Sequence, residues 1–340
     1  MQKNRLSLRP GAVCVMGLFM LVALVTIVPQ VMGAGSAGDT ISYRSADYVI
    51  HRLQEGETYA LLAQWYLGNS NEAWRIAAAN EGKPLLNNRY VVIPLKQINL
   101  GGLTAEGYQT IPILCYHRFG KSCRSVLCMP ADVFDRQLQY LKDQGFQSIS
   151  LSMLHDFIKF KRDLPPKSVI ITIDDGYRSA FDIAYPILKK HGFTATYFVY
   201  TDFVSATRSA MNWDQLRRIK ADGFEIGSHT LTHADLTKPK PGENRNAYLK
   251  RIKHELAQSK TIIDEKLKQD TRFIAWPFGN SNPGVEKLSE DVGYAFGLSV
   301  RRGSNAVFTD PLALNRDQVL SRKIEKFATR LKSFKESELR

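Results

Sequence analysis

From residue 111 to residue 300 the chain alternates short apolar runs with longer stretches of helical period. The runs at 111–116, 147–151, 168–173, 194–200, 224–227, 272–276 and 294–300 have strand length and are rich in β-branched or aromatic residues. The stretches between them, 130–144, 152–160, 179–191, 212–221, 244–267 and 283–291, predict helices. Strands alternating with helices predict a parallel sheet joined by helical crossovers. The run V-I-I-T-I at 169–173 has the continuous apolar character of a strand covered on both faces. Polar residues follow directly after several strands, which favours a closed or distorted barrel within the α/β class. A doubly wound open sheet is the competing architecture, but no glycine-rich phosphate loop follows the first strand.

Upstream, residues 48–95 form a smaller unit with its own pattern. A strand at 48–52 precedes a helix that begins near Gly56-Glu57-Thr58 and has Leu61, Leu62, Trp65 and Tyr66 on its apolar side. A second helix is predicted over 71–80 and a closing strand over 90–94. Residues 97–110 contain Gly101, Gly102 and Gly107 and read as a linker. After residue 319 the chain is basic, with Leu320, Ile324, Phe327, Leu331 and Phe334 at helical spacing. A helix there would cap the barrel or touch an anionic surface.

Length and charge add a compartment. The 340 residues suffice for one large domain and one small one. The formal net charge is +13, which suits anionic surroundings such as a cell wall, acidic glycans or lipid head groups. Lys3, Arg5 and Arg9 precede the uncharged apolar run 12–28, the pattern of a membrane-targeting segment. Residues 1–34 are therefore expected to be a signal peptide, cut near the small residues at 33–37, or a retained membrane anchor. Either way the remainder is exported to the periplasm, cell envelope or exterior. No nucleic-acid-binding motif accompanies the charge. In an oxidising compartment Cys123 and Cys128, which flank a short basic loop, are the first pair expected to join, with Cys115 left over; three free thiols are the alternative.

The candidate chemistry lies where strands end. Asp174 and Asp175 close the 168–173 run, and two adjacent carboxylates at the end of a buried strand need a compensating charge. A divalent metal would supply it, held by one carboxylate while the other serves as a base. His229 and His233, four residues apart after the 224–227 run, could reach the same ion. Imidazole with carboxylate suits zinc and similar metals, and three protein ligands leave one position open. His117 and Pro277-Phe278 also follow strands directly. In a barrel of parallel strands all these positions share one face.

T-I-D-D-G at 172–176, S-H-T-L-T-H at 228–233 and R-F-I-A-W-P-F-G at 272–279 resemble the polysaccharide deacetylases of the NodB-homology type, carbohydrate esterase family 4. The resemblance spans roughly residues 111–319. It implies an incomplete (β/α) barrel, with Asp175, His229 and His233 as metal ligands, most often of Zn2+, and Asp174 as the base. It further implies that Arg272 pairs with that base and that the backbone N–H of Phe278 helps bind the oxyanion. The family usually has tyrosine at the position of Phe278; a backbone donor survives that change. Many members carry Leu-x-His near the end of the domain as the acid, whereas this chain reads A-L-N-R-D-Q-V at 313–319 and has no histidine after His254. P-I-L-C-Y-H at 112–117 instead resembles the exopolysaccharide poly-N-acetylglucosamine deacetylases, whose first-strand histidine takes the acid's place. His117 is therefore expected to protonate the amine, from the side opposite Asp174.

The strand-helix-helix-strand unit, with Asn80 and Ile93-Pro94, is similar to the LysM module, which implies binding to N-acetylglucosamine-containing glycans. The expected organisation is a targeting segment at 1–34, a LysM-like βααβ domain at 47–96, a linker at 97–110, a deacetylase barrel at 111–320 and a basic helix at 321–340. The expected activity is metal-dependent removal of N-acetyl groups from an N-acetylglucosamine polymer, either peptidoglycan or an exopolysaccharide. A glycan-binding protein without catalysis, or a deacylase of other N- or O-acyl groups, would use the same residues differently. The sequence leaves the oligomeric state open.

Overall fold

In the computed structural model, residues 40–87, 89–97, 101–103, 107–332 and 337–338 are described. The expected targeting segment at 1–34 lies outside the described residues. Among the described residues no helix is long and apolar enough to cross a membrane.

The N-terminal unit is a three-stranded antiparallel sheet carrying two helices. Strands β1 (Ile41–Arg44), β2 (Tyr48–Arg52) and β3 (Tyr90–Pro94) lie in that order, and α1 (Tyr59–Leu67) and α2 (Ala73–Ala79) connect β2 to β3. Sequence reasoning did not foresee β1. Thr58 caps α1 by accepting from the Leu61 N–H, and Gly68 ends it in a left-handed turn. Val49, Leu53, Leu62, Ala63, Ile76, Val91 and Ile93 form a core of their own. Asn80 ties α2 to β3, donating to the Ile76 and Val92 carbonyls and accepting from the Val92 N–H.

The larger unit is a curled, mostly parallel sheet wrapped by helices. Its main strands are β4 (Ile111–Tyr116), β5 (Ser168–Ile173), β6 (Thr196–Val199), β7 (Glu225–Ser228), β8 (Phe273–Ala275) and β9 (Phe296–Leu298). Short strands β10 (Ser304–Asn305) and β11 (Asp317–Gln318) follow. The sheet order is β9-β8-β7-β6-β5-β4-β10, with β11 also pairing with β4 in parallel. Leu314 bridges Leu298 of β9, so the segment leading into β11 reaches from the last strand back to the first. Crossovers are made by α3 (Ala131–Asp143), α4 (Leu151–Ile158), α5 (Tyr185–His191), α6 (Trp213–Ala221), α7 (Arg245–Leu267) and α8 (Pro283–Val292). Several start on side-chain caps: Ser150 for α4, Asn212 with Gln215 for α6, Asn244 for α7 and Asn282 for α8.

Strand β5 explains the architecture. All six of its residues are buried, and they alternate between two environments. Val169, Ile171 and Ile173 pack with Val133, Phe134, Leu138 and Leu141 of α3, whereas Ile170 joins Phe198, Phe273 and Phe296. A period of two inside an apolar run is what a strand covered on both faces requires. Trp276 is buried as well, its indole N–H donating to the Leu312 carbonyl, so it is core and does not line a groove.

Two segments differ from their sequence patterns. The stretch read as a linker contributes a short strand, Gly107–Tyr108, which pairs antiparallel with Ser337–Glu338. Its Gly101 is buried so tightly that a Cβ would meet the Phe160 ring at 2.6 Å. Helix α9 spans only Ile324–Lys332, because the chain beyond it returns to pair with that strand. Phe327 and Leu331 carry its apolar face into the core beside α3.

Candidate metal and acid–base site

Because the strands run parallel, the residues that follow them meet at one end of the sheet. Asp174 and Asp175 follow β5, His229 follows β7 with His233 one turn beyond, and His117 follows β4. Asp175 Oδ1 lies 3.5 Å from His229 Nε2 and 3.5 Å from His233 Nε2. Donors bound about 2.0–2.1 Å from one tetrahedral ion stand about 3.4 Å apart. The three side chains therefore have the mutual spacing that a single zinc-like cation would need.

The supports of these three side chains are equally specific. His229 Nδ1–H donates to the Ala275 carbonyl at 2.7 Å, which leaves Nε2, facing Asp175, as the nitrogen that would meet an ion. The loop from His229 to His233 is held by Glu255 of α7, which accepts from the Leu231 and Thr232 N–H groups and from the Thr232 hydroxyl. Thr230 Oγ1 accepts from the His233 N–H. Asp175, Thr230, His233 and Phe278 all have positive φ, between 58° and 75°, although none is glycine. Such conformations cost of order 1–3 kcal/mol each and persist where the surroundings dictate them.

Asp174 is held differently. Its Oδ1 accepts from Arg316 Nη1 at 2.8 Å, and its Oδ2 faces the Cys115 thiol at 3.5 Å. Burial alone would raise its pKa, but the Arg316 guanidinium and the nearby His229 outweigh that and hold the carboxyl well below the usual carboxylate range. Arg316 is completely buried; its Nε donates to the Ser299 carbonyl and its Nη1 also reaches Thr172 Oγ1. Burial pushes the Cys115 thiol far up, so it stays neutral. Asp175 is likewise lifted by burial and more than offset by its hydrogen bond and attraction to His229.

Here the expected role of Arg272 is corrected. Arg272 Nη2 donates to His155 Nε2 at 3.0 Å and does not pair with Asp174. The reason is position: Arg272 precedes β8, whereas Asp174 follows β5, and parallel strands place those at opposite ends of the sheet. The partner of Asp174 is Arg316, from the 313–319 segment in which the Leu-x-His pattern is replaced by L-N-R. No apolar pattern marks it: Arg316 precedes the short polar strand Asp317–Gln318.

His117 carries a second correction. A ring nitrogen of His117, a carboxylate oxygen of Asp174 and Cys115 Sγ all lie within 4.8 Å of one another. His117 thus stands beside Asp174 and not across the site from it, because β4 and β5 are adjacent strands. Burial lowers its pKa, partly countered by Asp174 and Asp175. Although Cys115, His117 and Asp174 are close enough to hold an ion, Arg316 already neutralises Asp174, so this trio suits proton transfer better than cation binding.

Phe278 sits in the turn after β8 with φ 58°, is 61% exposed as a residue, and has its ring 4.8 Å from the His233 ring. Gly279 permits the turn: a Cβ there would meet Val300 N at 2.6 Å. Cys123 and Cys128 form a disulfide next to the site, and Cys115 is free and buried.

Comparison with known proteins matches the same part of the chain to a family. The family model described as Polysaccharide deacetylase matches residues 161–297. The protein YxkH of Bacillus subtilis (strain 168), which carries the polysaccharide deacetylase name, is 30% identical over 208 residues, covering 61% of this chain and 67% of that protein. A poly-beta-1,6-N-acetyl-D-glucosamine N-deacetylase of Staphylococcus aureus (strain MRSA252) is 26% identical over 174 residues, and the chain spans 59% of its length. The solved structure of the Streptococcus pyogenes deacetylase PplD in complex with acetate superposes with a TM-score of 0.59 at 28% identity, covering 65% of this chain and 98% of that one.

Proposed function

This chain belongs to the polysaccharide deacetylase family, and on that premise we propose that it hydrolyses N-acetyl groups of an exported N-acetylglucosamine polymer, using one divalent cation. The observation that carries the reading is the set of three donors spaced about one ion, beside a carboxylate already neutralised by a buried arginine. A cation held by Asp175, His229 and His233, zinc being the best match to two imidazoles and a carboxylate, would acidify water and polarise the acetyl carbonyl. Asp174, oriented by Arg316, takes a proton from the attacking water at Oδ2. The Phe278 N–H donates to the carbonyl oxygen as negative charge develops there. His117 returns a proton to the departing amine. Its closeness to Asp174 lets the proton taken at one group be replaced at the other within one wall of the cleft.

His117→Asn is expected to lower kcat about 10²–10⁴-fold, the usual worth of a proton donor, while metal content stays unchanged. Turnover near that of the parent protein would return the role to water.

The N-terminal unit supports a glycan polymer as the target. A groove of about 470 Å³ lies between its helices and β3, with Tyr90 and Leu86 at its edge, both more than half exposed. We read this unit as a LysM-like module that holds the polymer while the barrel acts. It raises effective concentration and leaves the chemistry alone. Tyr90→Ala is accordingly expected to weaken binding to insoluble polymer about tenfold, the worth of an aromatic anchor of about 1.4 kcal/mol, and to spare short soluble oligomers. Equal loss on both would make the unit structural. Acetate release from peptidoglycan and from poly-N-acetylglucosamine, measured side by side, tests the function; release from neither would leave a glycan-binding protein. The basic start and apolar run of residues 1–34 support export, with either cleavage or anchoring at the membrane.

A further inference from the structure

We infer that the arginine-lined cavity beside the metal site binds an anionic group, carboxylate or phosphate, on the glycan strand, so that the enzyme selects negatively charged N-acetylglucosamine polymers over neutral ones. The inference rests on the deacetylase reading and specifies its substrate.

The cavity has a volume of about 630 Å³ and is built from the loops that leave the site. Arg118 follows His117, and Tyr177 lies two residues beyond Asp175, so its inner edge adjoins the reacting centre. Its size suits roughly one to two sugar residues, within the usual range for small-ligand sites of about 300–1,000 Å³. Its lining holds four arginines, Arg118, Arg124, Arg178 and Arg208, against one carboxylate, Asp182. Two of the four are engaged. Arg178 Nε pairs with Asp182 at 3.1 Å, and Arg118 donates to Ser125 Oγ while lying 5.1 Å over the Tyr177 ring. Arg124 and Arg208 have no acidic partner among the described residues.

The loops carrying those two are fixed, which separates this cavity from a scatter of surface charge. The Cys123–Cys128 disulfide closes the loop of Arg124, and Arg322 donates to the Cys123 carbonyl from the other side. The Arg208 loop is pinned by the Tyr177–Ala210 bridge and by the Arg178 N–H, which donates to the Ser209 carbonyl at 2.7 Å. The braced backbones carry the exposed Arg124 and Arg208 side chains at fixed positions on the cavity wall, where a guanidinium can grip an oxyanion with two parallel hydrogen bonds. A neutral glycan offers them no such partner, whereas a strand with a charged substituent next to its N-acetylglucosamine offers one at the distance of a neighbouring sugar.

The test compares soluble glycan strands from peptidoglycan, which carry carboxylates, with chitin oligomers of equal length, using the metal-loaded full chain. For the double variant Arg124→Ala/Arg208→Ala, KM for the anionic strands should rise about tenfold or more, with kcat kept and chitin hydrolysis unaltered. Calorimetric binding of the strands to metal-free protein should weaken by the same factor. Methyl-esterified strands distinguish the anions: lost affinity assigns carboxylate, and affinity kept on strands that bear phosphate assigns phosphate. An equal change for anionic and neutral substrates, or no change for either, overturns the inference. If neither substrate is hydrolysed but the arginines still govern binding of the anionic strands, the catalytic reading fails and the cavity assignment stands.

Discussion

His229→Ala is expected to abolish both metal uptake and acetate release. Removing one of three donors leaves Asp175 and His233 with no closed set around an ion. The catalytic help of a bound cation amounts to several kcal/mol. At 1.36 kcal/mol per tenfold, the rate should fall about 10³-fold or more. The alanine also frees the Ala275 carbonyl, which His229 Nδ1 now satisfies, so a modest loss of stability accompanies the effect. Metal content measured by elemental analysis, together with acetate release, checks the expectation; full activity in a metal-free variant would sink the ligand assignment. A pH signature accompanies it. Burial opposes charge on His229, but its hydrogen bond and attraction to Asp175 more than offset this and raise its pKa above the ordinary value in the metal-free protein. At pH values below that raised pKa, metal uptake displaces a proton from this ring. Affinity should rise with pH through and above about 6.5, with proton release detectable in buffers of different ionisation enthalpy. His233, whose pKa is lowered by burial and by His229, contributes little to that release.

The grouping of Asp174, Asp175, His229 and His233 at one end of the sheet was readable because each is local to a strand end. Asp174 and Asp175 close an apolar run, and the two histidines are four residues apart in one turn. Only parallel strands were then needed to bring the groups together. What the sequence hid was contact across long separations. Arg316 meets Asp174 from 142 residues away, and no periodicity announces which buried charge will answer another. Arg272 was misjudged although its place before a strand, at the far end of the sheet from the site, could have been read. Glu255, on the helix behind the His229–His233 loop, had no motif to mark it; only the fold shows that it holds three donors of that loop. The C-terminal periodicity over-extended α9 for a related reason: a helical pattern cannot reveal that residues 337–338 pair with 107–108 instead.

Arg316→Met is expected to be both destabilising and catalytically severe, whereas Arg272→Met should leave the rate near that of the parent protein. Asp174 and Arg316 are both buried, so removing the cation strands a carboxylate away from water. Breaking a buried pair on one side costs about 3–5 kcal/mol. Because the pair depresses the Asp174 pKa, its contribution is present above the unfolded carboxylate value of about 3.9 and is lost as pH falls through the depressed value. In the variant, burial acts without that compensation, so the Asp174 pKa should move up and protonation should remove the base. Activity should then fall at neutral pH and recover in part as pH rises, a change of profile that simple unfolding does not produce. The double variant Asp174→Asn/Arg316→Met separates the two effects. With both charges gone it should regain much of the lost stability, as paired replacement of buried ions commonly does, while remaining inactive for want of a base. Thermal unfolding across pH, with kcat/KM measured on each variant, decides the matter. If Arg316→Met keeps its stability and its pH profile while Arg272→Met loses activity, the base takes its partner from the far end of β8 and the assignment of Arg316 is wrong.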